Sequence, residues 1–260
     1  MNKDKMNECM KMLEKGVRDV MEGDAYKQYL TFSSRFHQYS YNNCMLIWTQ
    51  CPKATYVAGF NKWKQLGRNV KKNEKGIRIL IPMFRKNEDD EQEVSGYRIG
   101  YVFDISQTEG EELAELTSEL KGKVEGYADL YDRISSFTDA SVHMESDIGE
   151  RHGYYDVSTH EIVVKTGMSE MQTIKTLIHE VMHSILHGKD ALKVDAHTRE
   201  IQAESAAYVV CQHLGIDSGE YSFGYIASWA ADKSDAELNQ IMSGIQDISN
   251  RMICSIVKNG

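Results

Sequence analysis

Proline is nearly absent, with 2 in 260 residues, which excludes proline-rich linkers and polyproline recognition segments. Cysteine is sparse and scattered. Cys9, Cys44, Cys51, Cys211 and Cys254 are odd in number and form no C-x-x-C pair. Neither a disulfide framework nor a thiolate cluster is expected, and reduced thiols in the cytoplasm are. No apolar run approaches the roughly 18 residues of a membrane span. The opening Met1-Asn-Lys-Asp-Lys leads into a polar amphipathic segment, not an apolar leader. The expectation is therefore no membrane association and no secretory signal. Internal repeats and low-complexity tracts are also missing. What remains, 41% apolar and 27% charged residues, is the composition of an ordinary globular chain.

A net charge of −9 conceals two electrostatic halves. Residues 1–82 carry 15 Lys and Arg against 7 Asp and Glu, a net of +8, and residues 83–260 carry 15 against 32, a net of −17. Such a division suggests two different partners.

The acidic half holds His179-Glu180-Val181-Met182-His183, an H-E-x-x-H pattern. Positions i and i+4 share one face of a helix, so the two imidazoles can hold one Zn²⁺. Glu180 then sits where a carboxylate reaches the attacking water without ligating the metal. Ser169 and Gln172 form a capping-box pattern, and Met171, Ile174, Leu177, Ile178, Met182 and Ile185 follow at helical spacing. Gly188 offers a stop.

A catalytic zinc needs a third protein ligand. A second helix is expected from an Asp195 cap to Leu214, ahead of Gly215. On it Glu200 and Glu204 share a face among Ile201, Ala203, Ala206 and Val210. Glu200 reads as the ligand, and Glu204 as the group that accepts the other N–H of a ligand histidine. Glu204 itself, His197 and His187 are rival third ligands. His187 ranks last, because it lies on the same helix as the first two. Tyr225 is a possible oxyanion donor. His160, near a turn, is not assigned.

The basic half carries a different pattern. From Lys53 to Arg78 there are eight basic residues and one acid, with Tyr56, Phe60 and Trp63 interleaved. Cations that neutralise phosphates, combined with rings that stack on unpaired bases, suit single-stranded nucleic acid. The candidate DNA contacts are Lys62, Trp63, Lys64, Arg68, Lys71, Lys72, Lys75 and Arg78. A solvated basic loop over core aromatics is the plainer alternative.

H-E-x-x-H followed by Glu200-Ile-Gln-Ala-Glu204 resembles the glutamate-zincin metallopeptidases. Together with Tyr225-Ile-Ala-Ser-Trp229, it resembles the peptidase domain of the ArdC-type antirestriction proteins of conjugative elements. Tyr39-Ser-Tyr41-Asn42-Asn43, Gly59-Phe60, Trp63, Gly67-Arg68, Val70, Lys75-Gly76 and Pro82 resemble the single-stranded-DNA-binding domain of the same family. The resemblance implies DNA binding and peptidase chemistry on one chain, with cleavage restricted to proteins met on single-stranded DNA. Two rival readings remain: a non-proteolytic DNA protector with a structural zinc, and a repressor-cleaving regulatory peptidase.

The expected fold is α+β. Residues 1–108 form a DNA-binding unit of helices and a small antiparallel sheet, with a short helix capped by Asn42 and strands over 77–84 and 94–105. Between those strands, residues 87–93 form an acidic, flexible hairpin tip, and residues 109–122 form an acidic linker. Residues 123–260 form a zincin-like metallopeptidase domain. In it a hairpin over 153–165 places its second strand, 161–165, along the cleft to pair with substrate.

Overall fold

Cys9, Leu13, Val17 and Val20 recur at helical spacing, and their side chains form the buried stripe of the first helix, α1 (Asn2–Val20). The structure is a computed structural model that describes residues 2–86, 91–113, 126–188, 194–216, 221 and 223–257. After α1 come α2 (Ala25–Ser33) and α3 (Tyr41–Gln50). Helix α3 starts one residue before the expected Asn42 cap. The Ser40 carbonyl already accepts the Cys44 amide at 2.8 Å, so Asn42 lies inside the first turn. Its neighbour Asn43 pairs with the backbone of Leu80 as a strand would, donating at 2.9 Å and accepting at 2.7 Å.

Next are β1 (Val57–Ala58), α4 (Phe60–Gln65), β2 (Arg68–Val70), β3 (Ile77–Lys86), β4 (Gln92–Asp104) and β5 (Thr108–Gly110). Strands β1, β4 and β3 form an antiparallel sheet in that order. Its inner end packs through Ile77, Ile79, Leu80 and Val102, while Met83, Phe84, Val94 and Tyr97 on the distal ribbon are exposed. Strand β5 pairs with β2, Arg68 opposite Gly110. The start of the expected linker is therefore sheet, because backbone groups at 108–110 find partners there. The rest of that expectation, 114–122, lies outside the described residues, as does most of the acidic hairpin tip, 87–90.

The chain continues through α5 (Tyr127–Ser135), β6 (Ser141–Glu145), β7 (Gly153–Asp156) and β8 (Glu161–Lys165). Helices α6 (Glu170–Leu186), α7 (Ala196–His213), α8 (Ile226–Ala231) and α9 (Asp235–Val257) complete it. The second small sheet has the order β6-β8-β7, with β6 parallel and β7 antiparallel to β8. The strand expected to border the cleft, 161–165, is thus the central one. Its Ile162, Val163 and Val164 are buried, and both of its edges are already paired. The edge beside the site belongs to β7.

The two halves of the chain share one apolar core. Leu30 and Met45 lie in the same cluster as Leu177, Val210 and Met252. Polar contacts also cross it. The Tyr26 and Ser205 hydroxyls are 2.7 Å apart, Thr31 and Tyr208 are 2.8 Å apart, and the Tyr41 hydroxyl donates to Asn239 at 2.9 Å. Arg18 of α1 is ion-paired to Asp235 of α9.

Candidate metal centre

Ser169 caps α6 by accepting the Gln172 amide at 3.2 Å. Leu177, Ile178, Val181 and Met182 then anchor that helix in the core, which leaves His179 and His183 on its open face. Asp195 caps α7 through the Thr198 amide at 2.9 Å. Helix α7 crosses against α6 and brings Glu200 over the histidines. The His179 and His183 Nε2 atoms lie 3.0 Å apart. They stand 3.6 and 3.5 Å from the Glu200 carboxylate oxygens. Among the described residues, His179, His183 and Glu200 are the group whose ligand atoms all fall within 4.8 Å of one another.

Two imidazole nitrogens and a carboxylate converging on one point are a donor set that fits a divalent metal ion. The surroundings of His183 support that fit. Its Nδ1 is 3.1 Å from the Nδ1 of His187, and the His187 Nε2 is 3.1 Å from the Gln202 amide oxygen. With His187 donating from Nε2 to Gln202, its Nδ1 accepts from His183. That leaves a lone pair on the His183 Nε2, the atom turned to Glu200.

Glu204 is therefore not the partner of the His183 Nδ1. Its carboxylate accepts the Tyr225 hydroxyl at 2.6 Å. This bond also commits the Tyr225 hydroxyl, so the oxyanion role expected for it is not met in this geometry. His187 and Gln202 do the work expected of Glu204. His197 packs against the Tyr225 ring, 5.0 Å between centroids. The spacing of His187, four residues past His183, was the available signal. What that spacing could not tell was whether His187 faces the metal or the ligand behind it.

Glu180 is 8% exposed. Burial pushes its carboxyl pKa up, against the lowering influence of His179 and His183 and of a hydrogen bond from the Tyr155 amide of β7. Glu200 is held well below the usual carboxylate range by its hydrogen bonds with the two histidines. Burial alone would lower His179, but the Glu200 hydrogen bond and the nearby carboxylates outweigh it and raise it. Two cavities of about 400 and 390 Å³ reach His179 and Glu180 from either side. One extends past Thr176 and Gln172 to Tyr221, and the other runs along Tyr154, Tyr155 and Val157 of β7 and its turn.

On the basic track Lys62, Lys64, Lys71, Lys72 and Lys75 are exposed. Trp63 is not available to a base. It is 0% exposed, and its Nε1 donates to the Phe103 carbonyl at 2.9 Å. The exposed ring is Phe60, 47% accessible, with the Lys64 ammonium 4.9 Å from its centroid. Arg68 is spent on the β2–β5 pair, donating to Thr108 at 2.8 Å and to Glu111, and Arg78 is ion-paired to Glu8. Packing against β4 takes Trp63 into the core and leaves Phe60 and Lys64 outside, which aromatic content alone does not reveal.

The family model for the N-terminal domain of anti-restriction factor ArdC matches residues 2–122. The model described as "Putative metallopeptidase family (DUF6782)" matches residues 100–209. The crystal structure of the antirestriction ArdC protein from plasmid R388 superposes with a TM-score of 0.55 at 22% identity, covering 85% of this chain and 86% of that one. Residues 2–122 thus match the ArdC N-terminal domain, and the fold is that of the ArdC protein. The Mn(II)-bound structure of the same R388 protein superposes with a TM-score of 0.56 at 20% identity, again covering 85% of this chain and 86% of that one. An uncharacterized protein of Bacillus anthracis is 28% identical over 291 residues, covering 90% of this chain and 49% of that protein. The chain thus spans about half the length of that curated relative.

Proposed function

We propose that this ArdC-type chain is a zinc-dependent endopeptidase of the glutamate-zincin type that also binds single-stranded DNA and acts in the cytoplasm in antirestriction. The observation that carries this reading is the convergence of His179, His183 and Glu200 within 4.8 Å beside a buried Glu180. When bound, the zinc supplies a Lewis acid that polarises the scissile carbonyl and brings the pKa of water near 7. The chain's own residues do the rest. Glu180 takes a proton from the attacking water and returns it to the leaving amine, and its raised pKa suits it to both steps. The free edge of β7, beside Glu180, offers backbone groups to an extended peptide.

The DNA-binding part is assigned to residues 1–108, with Lys62, Lys64, Lys71, Lys72 and Lys75 as phosphate contacts and Phe60 in place of Trp63 as an aromatic platform. Sharing one chain would confine cleavage to proteins met on single-stranded DNA.

Glu180→Gln tests the mechanism. Proteolysis should fall by roughly 10²–10⁴-fold, while zinc content by elemental analysis and affinity for an oligonucleotide stay at wild-type levels. Retained cleavage by the variant would sink the mechanism. Full DNA protection by it in conjugation would instead favour a non-proteolytic protector. Glu200→Ala should lose the zinc, and equal zinc in both proteins would move the third ligand elsewhere.

A further inference from the structure

The two cavities at Glu180 belong to the site already described. A third cavity, of about 250 Å³, lies elsewhere, between the loop after α2 (residues 35–39) and the residues that lead into β1, and His213 at the end of α7 lines it. His213 is 5% exposed. Its Nδ1 lies 3.0 Å from the Ser34 carbonyl and therefore donates to it. The Nε2 is left with a lone pair, and among the described residues it has no partner. The Nδ1 of His37, whose ring stands edge-on to His213 at 4.7 Å, is likewise without one. Burial, with His213 adding to it, holds His37 at about 4, and burial also lowers His213. Near neutral pH both rings are uncharged. A buried acceptor kept without a donor marks a place where a donor belongs.

The rest of the lining narrows the class of ligand. Phe36, Tyr39 and Tyr56 supply aromatic walls, and the Tyr56 ring is backed by Trp63 at 5.4 Å. Among the described residues that line it, no carboxylate or thiolate completes a metal site with the two imidazoles. The volume is below the roughly 300–1,000 Å³ that drug-sized ligands occupy, and it suits a single heterocycle. Arg35 is exposed at the rim and also lines the adjoining cleft with Lys27, Trp48 and Lys53. Cations therefore run past the mouth of an aromatic pocket that the buried His213 ring also lines.

We propose that this cavity seats one unpaired nucleobase of single-stranded DNA, with a base N–H donating to the His213 Nε2 and Arg35 neutralising the phosphate outside. The proposal rests on the reading that residues 1–108 bind single strands. Every base carries an N–H donor, so the seat tolerates sequence.

Adenosine and cytidine, which carry no phosphate, are titrated into the full chain while the histidine ring resonances are followed by NMR. A saturable shift of the His213 resonance is expected. In parallel, oligonucleotide affinity is measured by anisotropy for wild type, His213→Asn and Tyr39→Leu. Asparagine keeps a donor for Ser34 and removes the ring Nε2, its own acceptor oxygen ending short of that position. Both variants should bind about tenfold more weakly, the scale of one stacked base, with an unchanged salt slope. Arg35→Ala should lower that slope by about 0.7, the value for one phosphate on a single strand. Should His213→Asn not fold, Tyr39→Leu and the wild-type titration still decide. Silent nucleosides together with wild-type affinity in the variants would overturn the proposal and leave a water-filled cavity. Nucleoside shifts without oligonucleotide binding would keep the seat and remove the single-strand reading.

Discussion

At the scale of single residues, the His183–His187–Gln202 chain has a measurable consequence. His187→Phe or Gln202→Leu leaves the His183 Nδ1–H without its fixed acceptor, so His183 loses its orientation and tautomer. Losing such an outer partner weakens metal binding by about 10–100-fold. Competition with a fluorescent zinc chelator measures this directly, and wild-type affinity in both variants would show that the chain of contacts is incidental. His37 sets a pH dependence. Unfolded, it takes a proton near the ordinary histidine value of 6.5; folded, burial makes it resist until about 4. Between those values the unfolded state binds more protons, so stability drops as pH falls through the window and is unaffected above it. Urea titrations of metal-free protein at pH 7.5, 6 and 5 should show this decline, and His37→Phe should flatten it.

At the scale of elements, the site depends on how closely β7 lies on α6. A Cβ at Gly153 would stand 2.6 Å from Thr176 Cγ2 and 2.9 Å from the Val163 carbonyl, with Glu180 Cγ at 3.4 Å. Gly153→Ala must therefore push the strand away from the helix. It should cost about 1–3 kcal/mol in stability. Peptidase activity should fall by more than stability explains, because the same strand carries the amide that bonds Glu180. Thermal melts alongside kcat at a temperature where the variant is folded separate the two effects; unaltered kcat would mean that the strand position does not set Glu180. The helical period made α6 and α7 legible in the sequence, with their Ser169 and Asp195 caps. The order of β6, β8 and β7 was not legible, since a hairpin pattern does not say which of its strands a third will join.

At the scale of the whole molecule, charge divides the chain into a basic and an acidic half, but packing does not. The Tyr26–Ser205 and Thr31–Tyr208 contacts and the Arg18–Asp235 pair tie N-terminal helices to C-terminal ones across a shared core. A single calorimetric transition is expected, with a ratio of calorimetric to van't Hoff enthalpy near one. Two separated transitions would show that the halves fold independently in spite of these contacts. Ser205→Ala should lower the midpoint of the whole transition by removing the partner of a buried hydroxyl, at a cost of about 1–3 kcal/mol.

The sequence by itself determined the H-E-x-x-H helix, the glutamate on the next one, their caps and the division of charge. These depend on spacing along one helix and on local hydrogen bonding. Only the tertiary structure decided that Trp63 is core and Phe60 is surface, that Glu204 serves Tyr225 while His187 serves His183, and that β7 forms the edge of the cleft. Each of those outcomes depends on which element a side chain meets across the core, and periodicity within one element carries no information about its neighbour.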